Sequence, residues 1–176
     1  MIARLSRYRV PVQAVAPLVD EVVSLARARS PSPAAHAEFF FVDSAGGEGL
    51  SVLLADDESA TPAIALPRPP SDVQDYSVHL LQLGGPRRSG VVETLLGRIV
   101  WCDPEHLRDL SFNGDAVPAS AAVWARTILV MPGREVLALA VATEQAPLEE
   151  SLDKFAAAAR SVHDYDDVAY HFLGRT

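Results

Sequence analysis

Cys102 and His106 stand four residues apart, with Asp103 and Glu105 between them. A thiol assisted by an imidazole near a helix N-terminus would be a nucleophile. Cysteine, histidine and carboxylate are also metal-ligand types. Two features argue against both uses. An acid beside the thiol disfavours the thiolate, and no third orienting or ligating group follows at a useful spacing. The simpler reading is a core cysteine followed by a helix-capping aspartate. The densest polar run is His163-Asp164-Tyr165-Asp166-Asp167, with His171 beyond it. It offers oxygen and nitrogen donors but lacks a calcium-loop pattern with its central glycine, so it reads as a solvated terminus. His79 lies beside Leu80 and Leu81 in a strand-like run and could exchange a proton near neutral pH. Tyr8 and Tyr76 are strand tyrosines able to donate to a bound carbonyl or phenol. Phe39, Phe41, Trp101 and Trp124 are the large rings suited to the wall of an apolar pocket. No residue is assigned a catalytic role from these patterns.

The chain around these residues excludes several functional classes. It has 176 residues, of which 49% are hydrophobic and 22% charged, enough apolar material for a real core. A net charge of -8 disfavours a broad nucleic-acid-binding face or docking to anionic membrane. Arg87-Arg88 after Gly84-Gly85-Pro86 reads as a solvated corner. One cysteine excludes an internal disulfide framework. The glycine run Gly46-Gly47-Glu48-Gly49 lacks the lysine of a phosphate loop, and no GxSxG, HExxH or CxxC occurs. No apolar run is long enough for a signal core or a bilayer span. The expectation is therefore a cytoplasmic protein with no metal, no cofactor, no nucleic acid and no membrane partner.

The elements that must position the candidate residues alternate between strand and helix. Residues 2–10 read as a strand, although Arg7 and Arg9 fall on the same side as Ala3 and Leu5 and spoil its alternation. Residues 13–29 carry a helical stripe of Val15, Leu18, Val22 and Leu25. Residues 37–43 are a strong strand whose three phenylalanines put aromatics on both faces. Strands are also expected at 50–55, 76–83, about 94–101, 123–131 and 136–143, with a short helix from Asp103 to Leu110. A final helix is expected over 148–162, with a stripe of Leu148, Leu152, Phe155, Ala159 and Val162, followed by an acidic tail over 163–176. The fold class is α+β: a ferredoxin-like antiparallel sheet with helices on one face, as one sheet or as two degenerate ferredoxin-like units. Residues 1–84 would form one ferredoxin-like unit and 85–176 a strand-rich unit ending in a long helix, within one continuous domain.

On the strand Ile2–Val10, the helix Val15–Arg29, the strand Ala37–Asp43, the hairpin to Leu50–Ala55 and the strand Tyr76–Leu83, the first half resembles the dimeric α/β-barrel superfamily. That group includes antibiotic-biosynthesis-monooxygenase-like proteins. The resemblance implies paired ferredoxin-like sheets enclosing a small aromatic or polyketide-like ligand. It transfers no catalytic residue.

Two functional readings follow. In the first, the chain binds a small hydrophobic or aromatic molecule in an apolar pocket lined by Phe39 or Phe41, Tyr76, His79 and Trp101 or Trp124, in aromatic or polyketide-type secondary metabolism. Whether it is an enzyme is open. In the second, it is a non-catalytic interaction protein using an exposed sheet face. Phe40 needs cover as much as its neighbours do, so a homodimer joined through strand surface is expected.

Overall fold

A computed structural model describes residues 1–9, 11, 15–29, 32–43, 45–62, 69–84, 90–103 and 122–172. It is an α+β fold with two four-stranded antiparallel ferredoxin-like sheets and helices packed against them. The elements are β1 (Ile2–Arg9), α1 (Val15–Ala28), β2 (Ala35–Asp43), β3 (Glu48–Ala55), β4 (Asp72–Ser77), β5 (His79–Gly84), β6 (Gly90–Cys102), β7 (Val123–Val130), β8 (Val136–Ala142), α2 (Gln145–Ala156) and β9 (Ala159–Phe172). The chain divides into two compact units. The first comprises Met1–Ser77, Arg87–Leu95 and Tyr165–Thr176, and the second Val78–Pro86 and Leu96–Asp164.

In the first unit the strand order is β4-β1-β3-β2, with the C-terminal part of β9 antiparallel to β2. Register assigns the faces. Phe39 and Phe41 stand opposite Val52 and Leu50, and Leu5 stands opposite Val52 from the other side. These five side chains therefore share one face. Phe40 stands opposite Ser51, which faces Ser6, so Phe40 belongs to the other face and meets Tyr8 at 5.8 Å between ring centroids. All three phenylalanines are fully buried within the single chain. Each such ring contributes about 1.5–3 kcal/mol on leaving water. The β2–β3 hairpin closes because Asp43 Oδ1 accepts the amides of Ala45 and Gly46 at 2.9 and 2.7 Å. Gly47 then takes φ +68°, a left-handed conformation that glycine adopts without a Cβ clash. In α1, Val22 and Val23 are buried and Leu25 is half-buried, while Asp20, Glu21 and Ser24 are exposed; the side chains of Val15 and Leu18 lie outside the described residues.

In the second unit the order is β9-β6-β8-β7, with β5 antiparallel to β7. β8 is buried along its whole length. On one face Val136, Ala138, Ala140 and Ala142 pack with Leu148, Leu152 and Phe155 of α2. Three alanines there let the helix lie close to the sheet. On the other face Leu137, Leu139 and Val141 are fully buried.

Two expectations at the C-terminal end are corrected. The helix expected over 148–162 spans Gln145–Ala156, and residues 159–172 form β9 rather than the end of a helix and an acidic tail. The helix stops in a tight turn, with Ala157 N donating to Asp153 O at 3.0 Å and Ala158 N to Phe155 O at 3.1 Å. Leu148, Leu152 and Phe155 are buried as the stripe requires, whereas Val162 is a strand residue, 44% exposed. The strand expected over 76–83 is interrupted at Val78, which separates β4 from β5. The short helix expected from Asp103 to Leu110 falls outside the described residues beyond Asp103, as do Arg87 and Arg88.

Candidate functional site

The two units repeat the same ferredoxin-like strand order, and each holds its fourth strand to its first with the same device. In the first unit Arg4 on β1 grips Asp75 on β4 through both carboxylate oxygens, at 2.7 and 2.8 Å. The same guanidinium donates to the carbonyls of Ala60 and Glu58 in the β3–β4 connection, at 3.1 and 3.2 Å. Its hydrogen bonds hold the Asp75 carboxyl below its ordinary value. In the second unit Arg98 on β6 grips Asp164 on β9 at 2.5 and 2.8 Å. It also reaches Glu149 of α2, the β8–β9 connection, at 3.3 Å. Asp164, the heart of the acidic run, is thus a structural clasp.

Each unit also has a pocket at the matching place, where its first strand ends and its third begins. In the second unit the pocket has a volume of 260 Å³ and is lined by Trp101, Cys102, Asp103, Glu135, Arg160 and Ser161. Arg160 Nη1 lies 3.4 Å from Glu135 Oε1, which ties the start of β9 to the start of β8. The buried Cys102 thiol donates to Phe155 O at 3.3 Å. Burial, and then the charge of Asp103, push its pKa up to about 11. Burial and the neighbouring acid thus disfavour the thiolate that a nucleophile would need. In the first unit the pocket has a volume of 180 Å³ and is lined by Arg7, Tyr8, Arg9, Glu48, Gly49, Leu50, Ser71 and Tyr165. Tyr165 packs on Phe41 with ring centroids 5.0 Å apart. Burial pushes its phenol up to about 12, against a lowering pull from Arg7.

The candidate residues named from sequence do not converge. Phe39 and Phe41 are stacked core rings, 5.9 Å apart and 13° from parallel, with no exposed surface. Tyr76 is half-buried on β4, its hydroxyl donating to Gln74 Oε1. His79 opens β5 opposite Val130, and Trp124 occupies the irregularity between Val123 and Ala125 on β7; both side chains lie outside the described residues. Trp101, half-buried, lines the pocket of the second unit beside Cys102, and Tyr8 lines that of the first. Arg160 and Ser161 fall inside the helix expected over 148–162, and Glu135 falls between two expected strands, so no sequence pattern singles them out. Arg7 and Arg9 carried a signal, the broken alternation of β1. Among the described residues no three histidine, cysteine or carboxylate side chains come together to hold a metal ion. No helix among them is long and apolar enough to cross a membrane.

Solved structures share this architecture. A "putative monooxygenase" of Lactobacillus acidophilus NCFM aligns with a TM-score of 0.61 at 8% identity, covering 98% of this chain and 96% of that one. The chain shares its ferredoxin-like fold with that structure. A second "putative monooxygenase", from Fusobacterium nucleatum subsp. nucleatum, gives 0.58 at 8% identity over 99% and 95% of the two chains. A major regulator of staphylococcal pathogenesis gives 0.50 at 10% identity over 99% and 100%. At these identities the likeness concerns the fold alone. No family model matches the chain, and no curated protein matches it in sequence.

Proposed function

We propose that the chain binds a small hydrophobic or aromatic molecule in the Trp101 pocket, in the metabolism of aromatic or polyketide-type compounds. The observation that carries this reading is the half-buried indole of Trp101 in the wall of a 260 Å³ pocket. That volume approaches the lower end, about 300 Å³, of small-ligand pockets. A flat indole gives a stacking surface for a ring. The rim of Asp103, Glu135, Arg160 and Ser161 supplies polar groups to orient substituents. The fold relation to monooxygenase-type structures is consistent with small-molecule binding. Native mass spectrometry of the chain purified from a cell making aromatic metabolites tests this. The expected result is a bound species of a few hundred daltons, released by Trp101→Ala. A clean apo mass together with no saturable binding of any aromatic probe contradicts it.

A homodimer joined through strand surface is a separate proposal, which the burial of the three phenylalanines does not support. Phe39, Phe40 and Phe41 are covered within one chain, so a second copy is not needed to bury them.

A further inference from the structure

We propose that residues 159–165 of β9 form a two-fold interface with a second copy of this chain, strand against strand and antiparallel about Val162. The inference rests on the homodimer proposal, to which it gives a place, and not on the Trp101 reading. β9 has β2 and β6 as its neighbours. β2 covers only its far half, from Val42 opposite Asp167 to Ala37 opposite Phe172. On that side residues 159–165 have no strand partner among the described residues, so their backbone groups form an open edge. Neither proline nor glycine interrupts the strand, and Arg160, Ser161, Val162, His163 and Asp164 are all exposed.

Val162 sits at the centre of this run. Among the described residues, it and Val73 are the large hydrophobic side chains left exposed, at 44% and 47%. Alternation puts Arg160, Val162 and Asp164 on one face. Arg98, which grips Asp164, also reaches Glu149, so this is the face that α2 covers.

The run is complementary to itself. Antiparallel pairing about Val162 sets each valine against the partner's Val162, Arg160 against the partner's Asp164, and Ser161 against the partner's His163. Arg160 and Asp164 already have partners in their own chain, Glu135 and Arg98. The pairing therefore matches opposite charges and sets no like charges face to face, and its gain comes from the ladder and the valines. Ala159 falls against the partner's Tyr165, so the ladder fills the open run and stops before β2 begins at Asp167. Two of the residues so faced, Arg160 and Ser161, line the Trp101 pocket, which puts that pocket at the border of the interface.

Val73 holds the matching place on β4, two residues before the clasp aspartate Asp75, and β4 ends the strand order. Self-pairing there is poorer. About Val73 it sets Tyr76 against Pro70, which has no N–H for a ladder, and it leaves Asp72 and Asp75 facing Gln74 and Ser71. An isologous contact through β9 closes as a dimer.

Sedimentation velocity of the full chain and disulfide trapping test this. The wild type should sediment as a dimer at micromolar concentration. Val162→Asp sets two carboxylates against each other and should weaken dimerisation at least about tenfold while the melting temperature holds. Val73→Asp should leave the dimer unchanged. Under mild oxidation Val162→Cys should give a disulfide between the two copies at position 162, because directly opposed strand residues have Cα atoms about 4.5–5.5 Å apart, within disulfide range. Val73→Cys should give none, and the native Cys102 is buried. A monomer at every concentration ends the homodimer and this pairing together. A dimer that survives Val162→Asp, or that gives no disulfide at position 162, leaves the homodimer standing and overturns the β9 pairing. Dissociation by Val73→Asp moves the interface to β4 and overturns it as well.

Discussion

The first and second units share a strand order and an arginine–aspartate clasp, yet their matching pockets carry opposite chemistry. Arg4–Asp75 and Arg98–Asp164 do the same work, each joining first strand to fourth and touching the segment between third and fourth. At the strand ends the first unit presents Arg7 and Arg9 with Glu48, and the second presents Trp101 with Asp103, Glu135 and a paired Arg160. The clasp that joins first strand to fourth is the same in both units, whereas the side chains lining the two pockets differ. A repeat of this kind is invisible as sequence identity and plain as geometry.

The largest expected effects come from breaking each unit's core. Phe41→Ala in the first unit should cost about 3–5 kcal/mol, and Leu152→Ala in the second about 2–5 kcal/mol, in urea unfolding. Following Trp101 fluorescence and far-UV circular dichroism together shows whether the two units unfold as one. Coincident transitions in both variants mean they do.

Next come the clasps. Asp75→Asn and Asp164→Asn should each cost about 1 kcal/mol, or roughly 2–4 °C in melting temperature for a chain of this size. Asp75 also gives a pH signature. Its folded carboxyl lies below the unfolded value, so its stabilisation is present above the unfolded pKa of about 3.9 and is lost as pH falls through the folded one. Acid titration of stability should therefore be shallower in Asp75→Asn than in the wild type. An unchanged acid slope would remove the clasp from the account.

A smaller effect concerns Cys102. With its thiol raised to about 11, iodoacetamide at pH 7 should label the folded chain only on the timescale of unfolding. Fast stoichiometric labelling would show that the second pocket holds a reactive thiol. The smallest expected change is in assembly. Sedimentation at micromolar concentration should show a dimer of the 18.9 kDa chain if the homodimer proposal holds, and a concentration-independent monomer ends it.

How much was legible in the sequence differs between elements for physical reasons. β2 was plain because three adjacent phenylalanines leave no other home than a strand buried on both faces. The end of α2 was hidden because Phe155 is followed by four alanines, the best helix formers, with no glycine or proline to mark the stop. That misplacement turned β9 into a tail, and with it went Arg160, Ser161 and the clasp role of Asp164. Trp101 was found because a strand tryptophan is conspicuous. Its polar rim was not, since it is assembled from three separated segments. Arg7 and Arg9 looked like flaws in an alternating strand, and the register places both of them on the wall of a pocket.

The most direct test of the Trp101 site is intrinsic fluorescence with two- and three-ring aromatic probes. The chain has two tryptophans, Trp101 and Trp124. The account predicts saturable quenching that persists in Trp124→Phe, disappears in Trp101→Phe, and is accompanied by loss of probe binding in Trp101→Ala. Quenching that survives in Trp101→Phe and vanishes in Trp124→Phe, with probe binding intact in Trp101→Ala, would contradict it.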